Sequence, residues 1–445
     1  MIQRLGQGCA GWARKWMPEP FIFAILLTIL TLVLGLVFTK SSFKDMVLHW
    51  GDGFFSNLTF GMQMCLILVT GHALANSGPV RSLIDMISRI PRSTRSATVI
   101  VAFSACVASL IHWGLGVIVG ALMAREVGRS SLERGLRFHY PLLGAAGYMG
   151  LLVWHGGLSG SAPLQAATPG LEVVAGMGVI PVGATLGSPL NLVMAGVLTL
   201  VIIFFCFLLS PRDDSEVITA EAYLKTEVQK EKPEQETGPA RRIENSVILS
   251  LFIGAFGLGF VALRFAEKGF HLDLNIVNFV FLFIGIMFQK TPINYVRAIA
   301  DGARTVAGII LQFPFYFGIQ GMLANSGLVE LLANGFVSIS NSVTLPVFTF
   351  LSAGIVNIFV PSGGGQWIVQ GPVMIKASQA LGVSIPKTIM AISYGDEWTN
   401  LVQPFWAIPL LGITGLKVGE IIGYSMLLCA GVAFVFALGL VILPA

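Results

Sequence analysis

The sequence predicts an all-α polytopic membrane protein made of two inverted repeats, each with a re-entrant hairpin and a broken transmembrane helix. Three observations carry that prediction. First, the 445 residues are 55% hydrophobic and only 11% charged, with mean hydropathy +0.80, whereas a soluble domain carries about 25% charged residues. Second, Leu74-Ala-Asn-Ser-Gly78 returns as Leu323-Ala-Asn-Ser-Gly327 (323 − 74 = 249). Third, several apolar runs are interrupted by glycine, proline and polar side chains, and backbone broken at membrane depth must be buried in protein or line a cavity.

A full span needs roughly 20 apolar residues. The first run, Pro20 to Phe38, follows Arg4, Arg14 and Lys15, is too long for the apolar core of a signal peptide, and reads as a retained span. Phe54 to Asn76 is the second. A loop with Arg81, Arg89, Arg92 and Arg95 leads to Ala97–Ile111, which breaks at His112-Trp-Gly-Leu-Gly116 and resumes to Ala124, the pattern of a re-entrant hairpin. After Arg125, Arg129, Arg134 and Arg137, the run Tyr140–Pro163 is broken at Trp154-His-Gly-Gly-Leu-Ser-Gly-Ser161. Thr168 to Pro189 has no Lys or Arg, and Asn191–Leu209 closes the first half, residues 1–210.

Residues 211–245 form a hydrophilic linker, expected to be cytoplasmic. The second half, residues 246–445, opens with spans Val247–Leu263, Leu272–Phe288 and Thr305–Leu323. Val343–Ile375 holds a second hairpin around Asn357-Ile-Phe-Val-Pro-Ser-Gly-Gly-Gly-Gln-Trp367. Thr388–Leu411 is expected to break around Gly395-Asp-Glu-Trp-Thr-Asn400, and Ile422–Leu443 is last.

Further pairs keep the spacing: Asp52-Gly53 with Asp301-Gly302, Gln63 with Gln312, Ser104-Ala105 with Ser352-Ala353, and Tyr148 and Pro163 with Tyr394 and Pro409. Lys and Arg concentrate on cytoplasmic loops. That rule puts the N-terminus, both Arg-rich loops, the linker and the loop with Lys290, Arg297 and Arg304 inside. Thr168–Pro189 and Asn325–Ser342, free of Lys and Arg, fall outside, while Lys376 and Lys387 run against the scheme. Five crossings between Asp52 and Asp301 then set the repeats in opposite orientations. Paired breaks in inverted repeats are the pattern of a secondary transporter with its site at the midplane.

The candidate site residues lie in those breaks. Half-helix N-termini aim partial positive charge at the centre and suit a carboxylate. His112, Trp113 and Gly114, then His155, Ser159 and Ser161, and Asn357, Ser362, Gly363, Gly364, Gly365, Gln366 and Asn400 are the expected substrate contacts. No Lys or Arg lies in any break, which favours a monocarboxylate. Asp396 and Glu397 are the expected coupling-ion site, for a proton or for sodium, because ionisable groups inside a span are costly; the other reading is a carboxylate solvated at an aqueous face. Three roles stay open for His112 and His155: proton carrier, neutral donor to substrate, or packed structural residue. Trp113, Trp154, Trp367, Trp398 and Trp406 either wall an alkyl tail or pack between helices.

Other classes are less well served. The net charge of +4 gives no footprint for nucleic acid, and five scattered cysteines suggest neither disulfides nor a metal site. No cofactor is expected beyond a coupling ion. An intramembrane enzyme using His155 or Asp396 would lack any HExxH or GxSxG motif. Within transport, a di- or tricarboxylate carrier or a cation/proton antiporter of this architecture is the alternative.

The motifs Trp50-Gly-Asp-Gly-Phe54, Gly61-Met-Gln-Met64, Thr70-Gly-His-Ala-Leu-Ala75, Ser159-Gly-Ser161 with Ala166-Ala-Thr-Pro-Gly170, Val360-Pro-Ser-Gly-Gly-Gly365 and Gln403-Pro-Phe-Trp-Ala407 resemble the bacterial short-chain fatty acid transporter family over nearly the whole chain. The resemblance implies uptake of acids such as acetoacetate and butyrate across the inner membrane. It also implies the architecture of the ion transporter superfamily, with inverted repeats, two hairpins and often elevator motion in homodimers.

Overall fold

The computed structural model describes residues 20–168, 177–211, 217–224, 238–269, 274–359, 361 and 363–444, with Leu5, Gly8, Cys9, Gly11, Trp12, Lys15 and Val174. Ser362, much of the linker and part of the Thr168–Pro189 stretch lie outside that set. Among the described residues the secondary structure is helical, without strands. The first half runs α1 Pro20–Phe38, α2 Phe43–Phe54, α3 Leu58–Ala75, α4 Gly78–Ser88, α5 Thr94–Ile111, α6 Trp113–Glu133, α7 Tyr140–Met149, a 3-10 stretch Gly150–Gly156, α8 Ser161–Ala166, α9 Val182–Thr185 and α10 Pro189–Leu209. After α11 Pro239–Glu244 come α12 Val247–Lys268, α13 Leu274–Phe288, α14 Pro292–Ala303, α15 Ala307–Ser326, α16 Leu328–Ser338, α17 Leu345–Phe359, α18 Gly363–Leu381, α19 Ile385–Asn400, α20 Pro404–Thr414 and α21 Val418–Ile442. Among the described residues, five helices are long and apolar enough to cross a membrane by themselves: α5, α10, α12, α15 and α21.

The order from α2 to α6 recurs as α14 to α18. An amphipathic helix is followed by a longer apolar helix, a short helix and a helical hairpin. The helices gather into two bodies. In one, α15 packs on α1 and α2, and α3 packs on α13 and α14. In the other, α5 lies on α6 and α17 on α19, with α7, α10, α20 and α21 filling in around them.

Local chemistry moves the breaks from where the sequence suggests. The first hairpin turns on the single residue His112, extended at φ −161° and ψ 133°, rather than on five residues. The helix restarts at once because the His112 ring accepts the Gly114 N–H at 3.1 Å, doing the work of an N-cap. Gly363 to Gln366 are helical, forming the first turn of α18 rather than unwound chain. Helix α19 runs unbroken through Gly395–Asn400, and the interruption comes at Leu401–Gln403. Pro404 sets it: proline has no N–H and steers the residue before it out of the helical region, and Gln403 is extended at φ −88°, ψ 112°. Helices α4 and α16 occupy stretches read as plain loops, and α5 reaches 18 residues.

Candidate functional site

Each hairpin tip is tied to the broken helix of its own half. In the first, the Leu158 N–H donates to the Leu110 carbonyl at 2.8 Å, and the Trp113 N–H donates to Ser159 Oγ at 3.0 Å. In the second, Gln403 Nε2 donates to the carbonyls of Asn357 (3.0 Å) and Ile358 (2.6 Å). Asn357 Nδ2 in turn faces the Asp396 carbonyl at 2.8 Å, Thr399 Oγ1 at 3.0 Å and Asn400 Oδ1 at 2.7 Å. Two tyrosines then cross between halves. The Tyr148 hydroxyl donates to the carbonyls of Asn400 and Gln403, the loose ends of the second break. The Tyr394 hydroxyl bonds Asn191 Oδ1 at 3.1 Å, and Asn191 Nδ2 donates to the Gly156 carbonyl at 2.7 Å, at the first break. Orphan carbonyls at helix ends need such partners where no water can reach them.

The tip of hairpin two meets the first broken helix in a closed, polar junction. His155 is its centre and is fully buried. Its main-chain N–H donates to Glu397 Oε2 at 2.9 Å. Its Nε2 accepts the Ala162 N–H at 3.2 Å, so the ring proton sits on Nδ1 and is donated to Asp396 Oδ2 at 3.1 Å. Asn400 Nδ2 is a further neighbour of Asp396 Oδ2, at 3.4 Å. Asp396 and Glu397 are both buried in this conformation. A Cβ at Gly363 would strike His155 Cε1 and come within 3.1 Å of Ser161 Oγ, so only glycine lets α18 start here. Gly364 is in the same position against Gln165. Asp396 Oδ1, Asn357 Oδ1, Gln403 Oε1 and Gln366 Oε1 are buried without a hydrogen-bond partner among the described residues.

The opposite junction, where the tip of hairpin one meets the second broken helix, is apolar and holds a small cavity between the two bodies. Trp113, Gly114 and Val117 of α6 face Phe405, Trp406 and Pro409 of α20, and Leu68, Ile309 and Phe313 close it from the other body. Trp113 and Trp406 meet edge-on at 5.3 Å, and Trp406 lies 6.3 Å from Trp154, which stacks on His155 at 4.1 Å. One chain of aromatic rings thus joins the two junctions.

The structure brings together His155, Asp396, Glu397, Asn400, Asn357, Ser161, Gly363 and Gly364. Ser159 and His112 serve hairpin one instead, as acceptors for amides of α6. Gln366 turns away from the junction, donating to the Ala353 carbonyl at 2.9 Å and to Gln370 Oε1 at 3.0 Å. Gly365 lies in the first turn of α18, and Ser362 is not among the described residues. Sequence reasoning passed over Gln403, Tyr148, Tyr394 and Asn191. The recurrence of Tyr148 as Tyr394 was visible, but its meaning was not, since each hydroxyl serves the other half.

The family model for "Short chain fatty acid transporter" matches residues 1–443. A protein of Escherichia coli, provisionally named a short-chain fatty acid transporter, is 46% identical over 99% of this chain and 100% of its own length. One of Haemophilus influenzae with the same provisional name is 40% identical over 99% of each chain. Among solved structures, the Alcanivorax borkumensis YdaH transporter aligns over 95% of this chain and 98% of its own, at 17% identity and TM-score 0.47. The family and the relatives are transporters, not enzymes. With matching motifs from α2 to α20, apolar helices fit to span a bilayer and relatives matched end to end, this chain belongs to the short-chain fatty acid transporter family.

Proposed function

We propose that the protein takes up short-chain monocarboxylates such as butyrate and acetoacetate across the inner membrane of a bacterium, in symport with a proton or sodium ion. Its N-terminus lies in the cytoplasm, and its halves face opposite ways across the bilayer. The substrate sits where hairpin tips and broken helices meet. The body holding the hairpins slides past the body built from α1–α3 and α12–α15 to carry it over.

One observation carries the reading: Asp396, Glu397 and His155 lie wholly buried between broken helices of two halves. Buried ionisable groups in a membrane protein mark ion pathways by default. The unpartnered oxygens of Asp396, Asn357 and Gln403 support a cation nearby, since hard cations take oxygen ligands. The absence of Lys and Arg from the breaks supports a singly charged acid.

The test is uptake of labelled butyrate into proteoliposomes with sodium and proton gradients imposed separately. Concentrative uptake driven by one of the two gradients is expected, competed by acetoacetate and not by succinate or citrate. Asp396→Asn abolishes gradient-driven uptake without loss of folded protein. Uptake no faster than in empty liposomes refutes the transport reading, and normal coupling in Asp396→Asn removes that carboxylate from the coupling site.

A further inference from the structure

One side chain outside the breaks ties the walls of the polar junction to each other. Asn191 stands in the first turn of α10, 1% exposed, and its amide reaches three other elements. Nδ2 donates to the Gly156 carbonyl at 2.7 Å, in the first break, and to the Leu186 carbonyl at 2.8 Å, just past α9. Two carbonyl acceptors fix which end of the amide is nitrogen. Oδ1 is thereby turned to α19, where it accepts the Tyr394 hydroxyl at 3.1 Å. A Cβ at Gly156 would come within 2.7 Å of Oδ1, so the amide is seated against the break without slack.

Both ends of this bridge lie next to the buried carboxylates. Gly156 follows His155, whose main-chain N–H donates to Glu397 Oε2 at 2.9 Å and whose ring bonds Asp396 Oδ2 at 3.1 Å. Tyr394 precedes Asp396 by two residues on α19. The path Tyr394–Asn191–Gly156 therefore runs beside the path Glu397–His155, and together they close a loop of bonds between α19 and the 3-10 stretch Gly150–Gly156. Asn191, Tyr394, His155, Asp396 and Glu397 are 0–1% exposed, so a bond lost there is not replaced from solvent. The second break has no such go-between: Tyr148, the repeat partner of Tyr394, donates straight to its carbonyls. At the spacing of the two tyrosines (394 − 148 = 246) the counterpart of Asn191 is Ala437, so the amide belongs to the first half alone.

We propose that Asn191 is a positioning residue for the coupling cation: with Tyr394 it holds the His155–Gly156 peptide against α19, so that Asp396 and Glu397 meet the cation in an assembled junction. The proposal rests on the cation-coupled reading of Asp396 and Glu397 and adds a residue hydrogen-bonded to neither carboxylate. When the bridge is cut, the junction is assembled only part of the time, and the apparent affinity for the cation falls by that fraction.

The experiment measures butyrate uptake by purified protein in liposomes, at graded external sodium and at graded external pH, for wild type, Asn191→Leu, Tyr394→Phe and the double variant. Asn191→Leu should raise the half-saturating concentration of whichever cation drives wild-type uptake by roughly tenfold, on the scale of a lost buried hydrogen bond. Tyr394→Phe, which keeps the ring and loses only the hydroxyl, should raise it by roughly threefold. The double variant should be no worse than Asn191→Leu, because both substitutions cut one path. Loss of folded protein lowers the maximal rate and leaves half-saturation where it was, so impaired folding cannot imitate the shift. Half-saturation unchanged in both single variants, while wild-type uptake is coupled, overturns the proposal, as does a double variant whose shifts multiply. Should Asn191→Leu not insert, Asn191→Asp, which keeps the acceptor for Tyr394 and loses the amide donors, is read in the same way. Wild-type uptake driven by neither gradient overturns the coupling reading itself.

Discussion

A few side chains hold open ends of helix in place, and the tyrosines show how. Tyr148 gives its hydroxyl to two carbonyls at the second break, one of them 252 residues away in the chain. Tyr148→Phe takes that donor from the Gln403 carbonyl, while the Asn400 carbonyl keeps the Gln403 N–H at 3.1 Å, at a cost of about 1–3 kcal/mol. Thermal unfolding in detergent should show the lowered midpoint, and an unchanged midpoint would mean the tether is idle. None of this is legible in sequence, because the partner is main chain and carries no signature. The Asp396–Glu397 pair, by contrast, stood out at once, since two adjacent carboxylates in an apolar run demand partners. What sequence did not reveal is that His155 supplies partners to both, through its ring and its own amide.

At the scale of elements, Pro404 marks the second break better than the neighbouring charges or glycines do. Helix α19 passes through Asp396 and Glu397 without interruption because both carboxylates find hydrogen bonds inside the protein, and it stops where Pro404 forces it to. The glycine run of α18 is helical because its work is close approach, not unwinding. Gly395 does the same for the crossing of α17 and α19. A Cβ there would strike the Phe350 carbonyl and lie 2.5 Å from Ala353 Cβ. Gly395→Ala should therefore spread the two helices and destabilise the protein by about 1–3 kcal/mol. Because Asp396 is the next residue, that variant should also lose gradient-driven uptake, which the liposome assay reads; full activity with full stability would contradict the crossing as described.

At the scale of the molecule, composition and the apolar runs were enough to anticipate a helical membrane protein. They did not anticipate that each hairpin tip is hydrogen-bonded to the broken helix of its own half while packing against that of the other. Nor did they anticipate that one junction is polar and the other apolar, the latter walled in part by side chains of α3 and α15. The central claim is the proposed one, that the site between hairpin tips and broken helices faces each side of the membrane in turn. The most direct test places Phe405→Cys alone in a background stripped of its native cysteines, in right-side-out and inside-out vesicles. A membrane-impermeant thiol reagent is then applied with and without butyrate. The account predicts labelling from both sides, slowed in each case by butyrate; labelling from one side only, under every gradient and with butyrate without effect, would contradict it.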